Sequence, residues 1–410
     1  MSVFVTDGNL RSTLAVVRSL GHAGITVGVG DVRKKSLAGS SKYCREPLVH
    51  PSPTHDPLGF QRFLLQELAP RGYRFLLATS DLTIQLVAPL RQALAPQVRL
   101  LVEDEVRLRL VQDKSALLRL AQSENVEVPR FVCTADREEI LRFAASVGYP
   151  VVIKPRCSRL WNDGQWRAGA VQYAASPEEL LTRWEESHRS IPVPMVQERI
   201  EGEGRGVFLC MWNGEVKAAF CHRRLREKPP WGGVSVLSES MPLELDIVER
   251  SARLLRAAGW SGPAMVEYKM DPRDGKPKLM EINARYWGSL QLAISSGVDF
   301  PLLHYRLAQG EDPPAQLDYR QGVRCRWLLG DLDALFIRLR APKEKHGLLR
   351  DRRSRLRVCA EFSRFRERAL CYDVFSADDP KPGWLECEQY LQENLSNLWR
   401  KVAPGKEKLS

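Results

Sequence analysis

The sequence predicts an α/β unit at the amino terminus, a mixed α+β unit after it and a basic carboxyl-terminal extension. Three observations carry this. Short apolar runs alternate with helical periodicity over the first hundred residues, apolar runs joined by turn residues fill the middle, and positive charge gathers late in the chain. At 410 residues, a prior of about 100 to 200 residues per domain suggests two to four units, and three suit the pattern.

The first unit opens with the apolar run Val3-Phe4-Val5, the turn residues Thr6-Asp7-Gly8-Asn9, and Leu14, Val17 and Leu20 at helical spacing. Gly21 and Gly24 close that helix, Ile25 to Val29 supplies a second strand, and Phe75 to Ala78 supplies another that ends in Thr79-Ser80-Asp81. Gly28-Val29-Gly30 invites a dinucleotide-binding reading, but position 33 is Arg and no helix clearly follows, so a structural turn is preferred.

The second unit starts near Asp104. Asp113-Lys114-Ser115 opens a helix, Val151-Val152-Ile153 forms a buried strand before Lys154, and further strands are expected at 193–197, 207–212, 216–220, 264–270 and 278–282. Asn213-Gly214 between two of these is a hairpin signal. The third region runs from about Gly310 through Asp378-Asp379-Pro380 to a polar tail.

Composition excludes several classes. With 44% apolar and 27% charged residues, the chain has the material for sizeable cores. Residues 338–370 hold twelve Lys or Arg against four Asp or Glu, so the formal charge of +11 is mostly local. A dedicated nucleic-acid binder would spread basic residues over its main surface, so contact of 338–370 with nucleic acid or an anionic membrane is the less favoured role. The start lacks signal-peptide character, no apolar run is long enough to span a membrane, and nine scattered cysteines lack a Cys-x-x-Cys pair, so a cytoplasmic protein with reduced thiols is expected. No His-Glu-x-x-His helix, Gly-x-Ser-x-Gly elbow or Walker loop is present, which argues against a zinc hydrolase, a serine hydrolase and a P-loop NTPase.

Chemistry gathers at Glu267, Glu281 and Asn283. The last two alternate on the strand Leu279 to Asn283 and share a face, while Glu267 lies on a preceding strand across the turn Asp271-Pro272-Arg273-Asp274-Gly275. A hairpin would bring three oxygen donors together, a set suited to a hard cation such as Mg2+, with Mn2+ as the alternative. Isolated acidic residues usually form a solvated face. Here the apolar neighbours Leu279, Met280 and Ile282 argue for a site.

The segment Met280-Glu281-Ile282-Asn283-Ala284-Arg285-Tyr286-Trp287-Gly288-Ser289-Leu290 resembles the metal-binding signature of ATP-grasp ligases, in the branch of carboxylate-amine, carbamoyl-phosphate-synthase-like and D-aspartate-ligase-like enzymes. Ala284 stands where proline is commoner and removes no ligand. The resemblance covers about residues 1 to 310. It implies a parallel α/β pre-ATP-grasp domain over 1–103, a two-lobed ATP-grasp domain over 104–310 with a hinge near 198–202, and leaves 311–410 as the extension.

Further pieces follow in the family's order. Lys114 and Lys154 resemble the two lysines that hold ATP phosphates, and a lysine ending an apolar strand is costly to bury without an anion. Val196 to Gly202 resembles the hinge, which implies that Glu198 and backbone at Ile200 read adenine, with Glu203 a candidate for ribose. A surface turn is the rival for Glu203, because Gly204-Arg205-Gly206 shifts the usual spacing. The phosphate flap is atypical at 158–169. His222 to Ser240 resembles a mobile substrate loop, with Arg224, Arg226 and Lys228 to hold a carboxylate and Gly232 and Gly233 to permit close approach. A solvent-exposed basic hairpin is the rival there, and polar packing is the expected role of His222.

The implied activity is ATP-dependent ligation. A carboxylate is activated as acyl phosphate, with Lys154 and Arg285 neutralising charge, and an amine then displaces phosphate. A kinase or carboxylase of the same fold, and a nucleotide-binding module docking through the basic region, are the alternatives. The carboxylate, the amine and the oligomeric state are open.

Overall fold

The computed structural model describes residues 2–162, 165–191, 193–230, 232–340 and 354–402. At the amino terminus β1 (Ser2–Val5), β2 (Thr26–Asp31), β3 (Cys44–Val49), β4 (Phe75–Leu77) and β5 (Arg99–Leu100) form a parallel sheet in the order β3-β2-β1-β4-β5. Parallel strands need crossovers, and the helices Arg11–His22 and Pro57–Glu67 supply two of them, with Leu14, Val17 and Leu20 buried on the first. The Gly28-Val29-Gly30 run lies inside β2 and is not a turn. A Cβ at Gly28 would sit 1.9 Å from the Tyr73 hydroxyl, so these glycines make room for aromatic packing.

A second sheet, β10-β7-β11-β6, is antiparallel and comprises β6 (Phe131–Val132), β7 (Val151–Lys154), β10 (Gln172–Ala174) and β11 (Met195–Glu198). Helices Arg137–Val147 and Pro177–Ser190 cover one face, burying Ile140, Ala144, Leu180 and Trp184 against Val151, Ile153 and Val196. Strand alternation then turns Val152, Lys154 and Gln197 to the opposite face, which lines a cleft. Between β7 and β10, the hairpin of β8 (Arg159–Asn162) and β9 (Gln165–Ala168) occupies the region of the atypical flap, of which Asp163 and Gly164 lie outside the described residues.

The largest sheet orders β16-β15-β12-β13-β14-β17-β18. Its strands are β12 (Gly204–Trp212), β13 (Glu215–Lys228), β14 (Val234–Met241), β15 (Gly262–Met270), β16 (Pro277–Asn283), β17 (Arg324–Arg326) and β18 (Leu370–Tyr372). Asn213 and Gly214 both take positive φ at the β12–β13 turn, as the Asn-Gly signal requires. The stretch from His222 to Ser240 is mostly strand, the far end of β13 and most of β14, so the segment likened to a mobile loop is a hairpin.

Residues beyond 310 are woven into this sheet. β17 pairs with β14, and β18 adds in parallel to β17. After β18 the chain docks on the amino-terminal domain: the Arg18 guanidinium donates to Asp379 Oδ2 at 3.0 Å and to the Val374 carbonyl at 2.9 Å. Asp379 also accepts from Ser41 Oγ at 2.6 Å and the Lys42 amide at 3.0 Å. With Arg18 and Asp379 both buried, three donors converge on the Asp379 carboxylate, where an unpaired charge would be costly. Of the basic stretch, residues 341–353 lie outside the described residues, while Arg355–Phe362 is a helix.

Candidate active site

The cleft between the second and third sheets has a volume of about 490 Å³. Glu267 on β15 and Glu281 on β16 are directly opposite in register, and Met265 pairs with Asn283. The hairpin thus does what strand alternation predicts: it sets two carboxylates and one amide on the face that lines the cleft. Asn283 Nδ2 donates to Glu267 Oε1 at 3.1 Å. Arg224 lies 2.7 Å from Glu267 Oε2, and Lys114 lies 3.3 Å from Glu281 Oε2.

Burial raises the Glu267 carboxyl, with Arg224 opposing and Glu281 adding to the rise. Glu281 also feels burial, but Lys114 and Lys154 outweigh it and hold its carboxyl below the ordinary value. Burial brings the Lys154 ammonium down to about 8, against the pull of Glu281 and with Lys114 adding to the fall. Burial thus disfavours the charged form of Lys154 although Glu281 lies close by.

Lys114 begins the helix Lys114–Ser123, capped by Asp113, whose carboxylate accepts from the Ser115 amide at 2.9 Å and the Ala116 amide at 3.2 Å. Lys114 Nζ also reaches Ser158 Oγ at 3.4 Å, at the foot of the β8–β9 hairpin. That hairpin is tied to the amino-terminal domain, since Trp166 Nε1 donates to the Pro53 carbonyl at 2.9 Å. Arg285 follows β16 into the cleft wall and is held 2.9 Å from Asp81.

At the end of β11 and just beyond it, Glu198 and Ile200 both line the cleft, but the Glu198 carboxylate is engaged: it accepts from the Arg130 amide at 2.8 Å and from Arg273 at 3.1 Å. The neighbouring Gln197 was not singled out from the sequence. Its side chain is buried in the cleft wall and Nε2 has no hydrogen-bond partner among the described residues. The signal was its place in the alternation of β11, one residue from the core-facing Val196.

Three residues grouped with the site on sequence lie elsewhere. Glu203 is outside the cleft lining and pairs with Arg205 at 3.3 Å. Arg226 points away, making two bonds of 2.8 and 2.5 Å to Asp331 on the helix Leu328–Leu339. Lys228 pairs with Asp333 on the same helix and sits 5.2 Å above the Trp327 ring. The cause lies in the pairing of β13 with β14, which carries register shifts between Arg224 and Arg226 and between Arg226 and Glu227. A bulge reverses facing, so Arg224 and Glu227 line the cleft and Arg226 does not.

Gly232 and Gly233 line the cleft; Gly232 has φ +132°, and a Cβ on Gly233 would lie 2.2 Å from the Lys228 carbonyl oxygen. His222 also lines it, stacked on Phe208 at 4.6 Å, and burial with Arg224 brings its imidazole down to about 3. Its buried Nδ1 has no hydrogen-bond partner among the described residues, and Nε2 lies 3.4 Å from Ser289 Oγ. Arg11, unmarked by any sequence motif, reaches the cleft from the amino-terminal domain, paired with Asp373 and 4.1 Å above the Trp327 ring.

The donor set suits a hard cation in part. Among the described residues no three His, Cys, Asp or Glu side chains converge, and Glu267, Glu281 and Asn283 are the oxygen donors that would hold a hard cation here. No described helix is long and apolar enough to cross a membrane.

Residues 190–330 match a family model described as ATP-grasp in the biosynthetic pathway with Ter operon. No curated protein sequence matches the chain. Among solved structures, biotin carboxylase from Campylobacter jejuni, in complex with β-γ-ATP, is similar at TM-score 0.64 and 14% identity, covering 79% of this chain and 74% of that one. N5-carboxyaminoimidazole synthetase from Staphylococcus aureus is similar at TM-score 0.64 and 13% identity, over 83% and 85%. The biotin carboxylase domain of Hydrogenobacter thermophilus 2-oxoglutarate carboxylase, with MgADP and bicarbonate, gives TM-score 0.64 and 16% identity, over 79% and 73%. The chain shares the fold of these enzymes, and residues 190–330 carry the match to the ATP-grasp family.

Proposed function

We propose that the chain is an ATP-dependent ligase that activates a carboxylate as its acyl phosphate and couples it to an amine, releasing ADP and phosphate. The observation that carries this is the single cleft lined by Lys114, Lys154, Glu267, Glu281, Asn283 and Arg285 beside the hinge Gln197 to Ile200. In this reading the hinge takes adenine, with the Gln197 amide facing the purine edge and the main chain of Glu198 and Ile200 beside it. Lys114 and Lys154 hold the phosphates. Glu267, Glu281 and Asn283 would hold a divalent cation, which would supply positive charge against the phosphates.

The substrate carboxylate oxygen attacks the γ-phosphorus, and the bond to the β–γ bridging oxygen breaks to leave ADP. Lys154 and Arg285 offset charge on the moving phosphoryl group. The amine nitrogen then attacks the acyl carbon, phosphate departs and the nitrogen loses a proton. Arg224, flanked by Gly232 and Gly233, orients the carboxylate. Arg226 and Lys228 act one step back, bracing the hairpin through Asp331 and Asp333.

The two solved carboxylases favour one rival, in which bicarbonate is the acid activated. Incubation with ATP and Mg2+ against panels of carboxylic acids, with and without amines, followed by ADP measurement and mass detection of product, separates them. Ligation requires acid and amine together for full turnover. ADP release that depends on bicarbonate alone would move the assignment to carboxylation.

A further inference from the structure

A second cavity, of about 710 Å³, lies where the carboxyl ends of β4 and β5 meet the back of the large sheet. Of its described lining residues, Arg285 alone also lines the cleft, so the two spaces are distinct. Five arginines line it: Arg91, Arg99, Arg107, Arg256 and Arg285. Three are balanced by acids, Arg107 by Glu103 and Asp104, Arg256 by Glu249 and Arg285 by Asp81.

Arg91 and Arg99 have no carboxylate partner among the described residues. Each is held instead by a main-chain carbonyl, Arg91 by Val102 and Arg99 by Ala308, which fixes a guanidinium in place without cancelling its charge. The buried Arg91 Nε has no hydrogen-bond partner among the described residues. The rest of the wall mixes apolar residues, Trp212, Trp260, Leu100 and Pro263 among them, with Glu103 and Asp104, which face Arg107. Two anchored guanidinium groups without a carboxylate partner, Arg99 at the exposed rim and Arg91 deeper, beside two indoles in a cavity of small-molecule size make a recognition site for an anion attached to an apolar body.

We propose that this cavity binds a small organic anion, a phosphate or carboxylate ester-sized group held by Arg91 and Arg99 with its apolar part against the indole-lined wall. The test uses the full chain with its cleft saturated by Mg2+ and a non-hydrolysable ATP analogue. Phenyl phosphate and benzoate serve as calorimetric probes, so the two arms separate a phosphoryl from a carboxylate preference. At least one probe should bind with one site per chain. Arg91→Gln combined with Arg99→Gln should weaken it at least about tenfold, the loss expected for charge-assisted bonds. Arg91→Lys with Arg99→Lys, which keeps the charge, should lose less, and Arg142→Gln, on the exposed face of the helix Arg137–Val147, should leave binding unchanged. Melting curves establish that each variant is folded. The proposal is overturned if neither probe binds the folded chain, if the double glutamine variant binds as well as the parent, or if Arg142→Gln loses binding to the same extent.

Discussion

Lys154→Met separates stability from chemistry at one residue. Lys154 ends β7, and burial brings its ammonium from 10.5 to about 8. A fall of that size corresponds to about 3 kcal/mol of destabilisation when the group is charged in the folded state, and partial exposure of the side chain reduces this to roughly 1–3 kcal/mol. The sign follows from proton counting. Below pH 8 folded and unfolded chains both hold the proton and the cost is complete; between about 8 and 10.5 the unfolded chain holds more protons, so stability rises with pH and the cost disappears.

Lys154→Met should therefore raise the melting temperature at neutral pH by a few degrees, at roughly 2–4 °C per kcal/mol, with the gain shrinking as pH climbs through that window. The same substitution should lower ADP release by about 10²–10³-fold, the effect of deleting one preorganised charge on a transferring group. In the proposed reading, nucleotide phosphate lies against Lys154 and favours its charged form. Its binding near pH 8 should then take up about half a proton, read by calorimetry in buffers of different ionisation enthalpy and missing from the methionine variant. A variant that melts lower at pH 7, keeps turnover, or takes up the same protons would refute the assignment of Lys154 as a phosphate ligand.

Three further perturbations test other parts of the molecule. Glu281→Ala should abolish ADP release while leaving a folded chain, checked by circular dichroism, because it removes one of the two opposed carboxylates; near-normal rates would remove Glu281 from the site. Asp331→Asn should raise KM for the carboxylate with little change in ATP affinity, since it loosens Arg226 and the hairpin that carries Arg224 and leaves the hinge alone; an equal loss of ATP binding would contradict that division. Asp379→Ala leaves the buried Arg18 unpaired and should cost about 3–5 kcal/mol, seen by denaturant unfolding, whereas a loss under about 1 kcal/mol would mean the carboxyl-terminal docking bears little of the stability.

Some of this molecule is local and was therefore readable from its residues. Strand alternation alone puts Glu281 and Asn283 on one face, and the turn after Met270 returns the chain so that Glu267 meets Glu281. Asn213-Gly214 announces its hairpin because two consecutive positive φ values suit few other pairs. Lys154 follows Val151-Val152-Ile153, and an apolar strand that ends in a cation needs a reason.

Other features depend on contacts between residues far apart, which no local pattern carries. The bulges in β13 turn Arg226 out of the cleft, and whether a strand bulges is settled by its neighbours. Arg11 joins the cleft because Asp373 and Trp327, more than 300 residues later, hold its guanidinium there. The last hundred residues read as a basic appendage; folded, they add two strands to the large sheet and clasp the first domain through Arg18 and Asp379. Strands, turns and chemical types could be read residue by residue, because they follow from periodicity and side-chain chemistry. Which cations face the cleft and which brace its walls emerges on folding, because register and domain docking choose the partner of each charge.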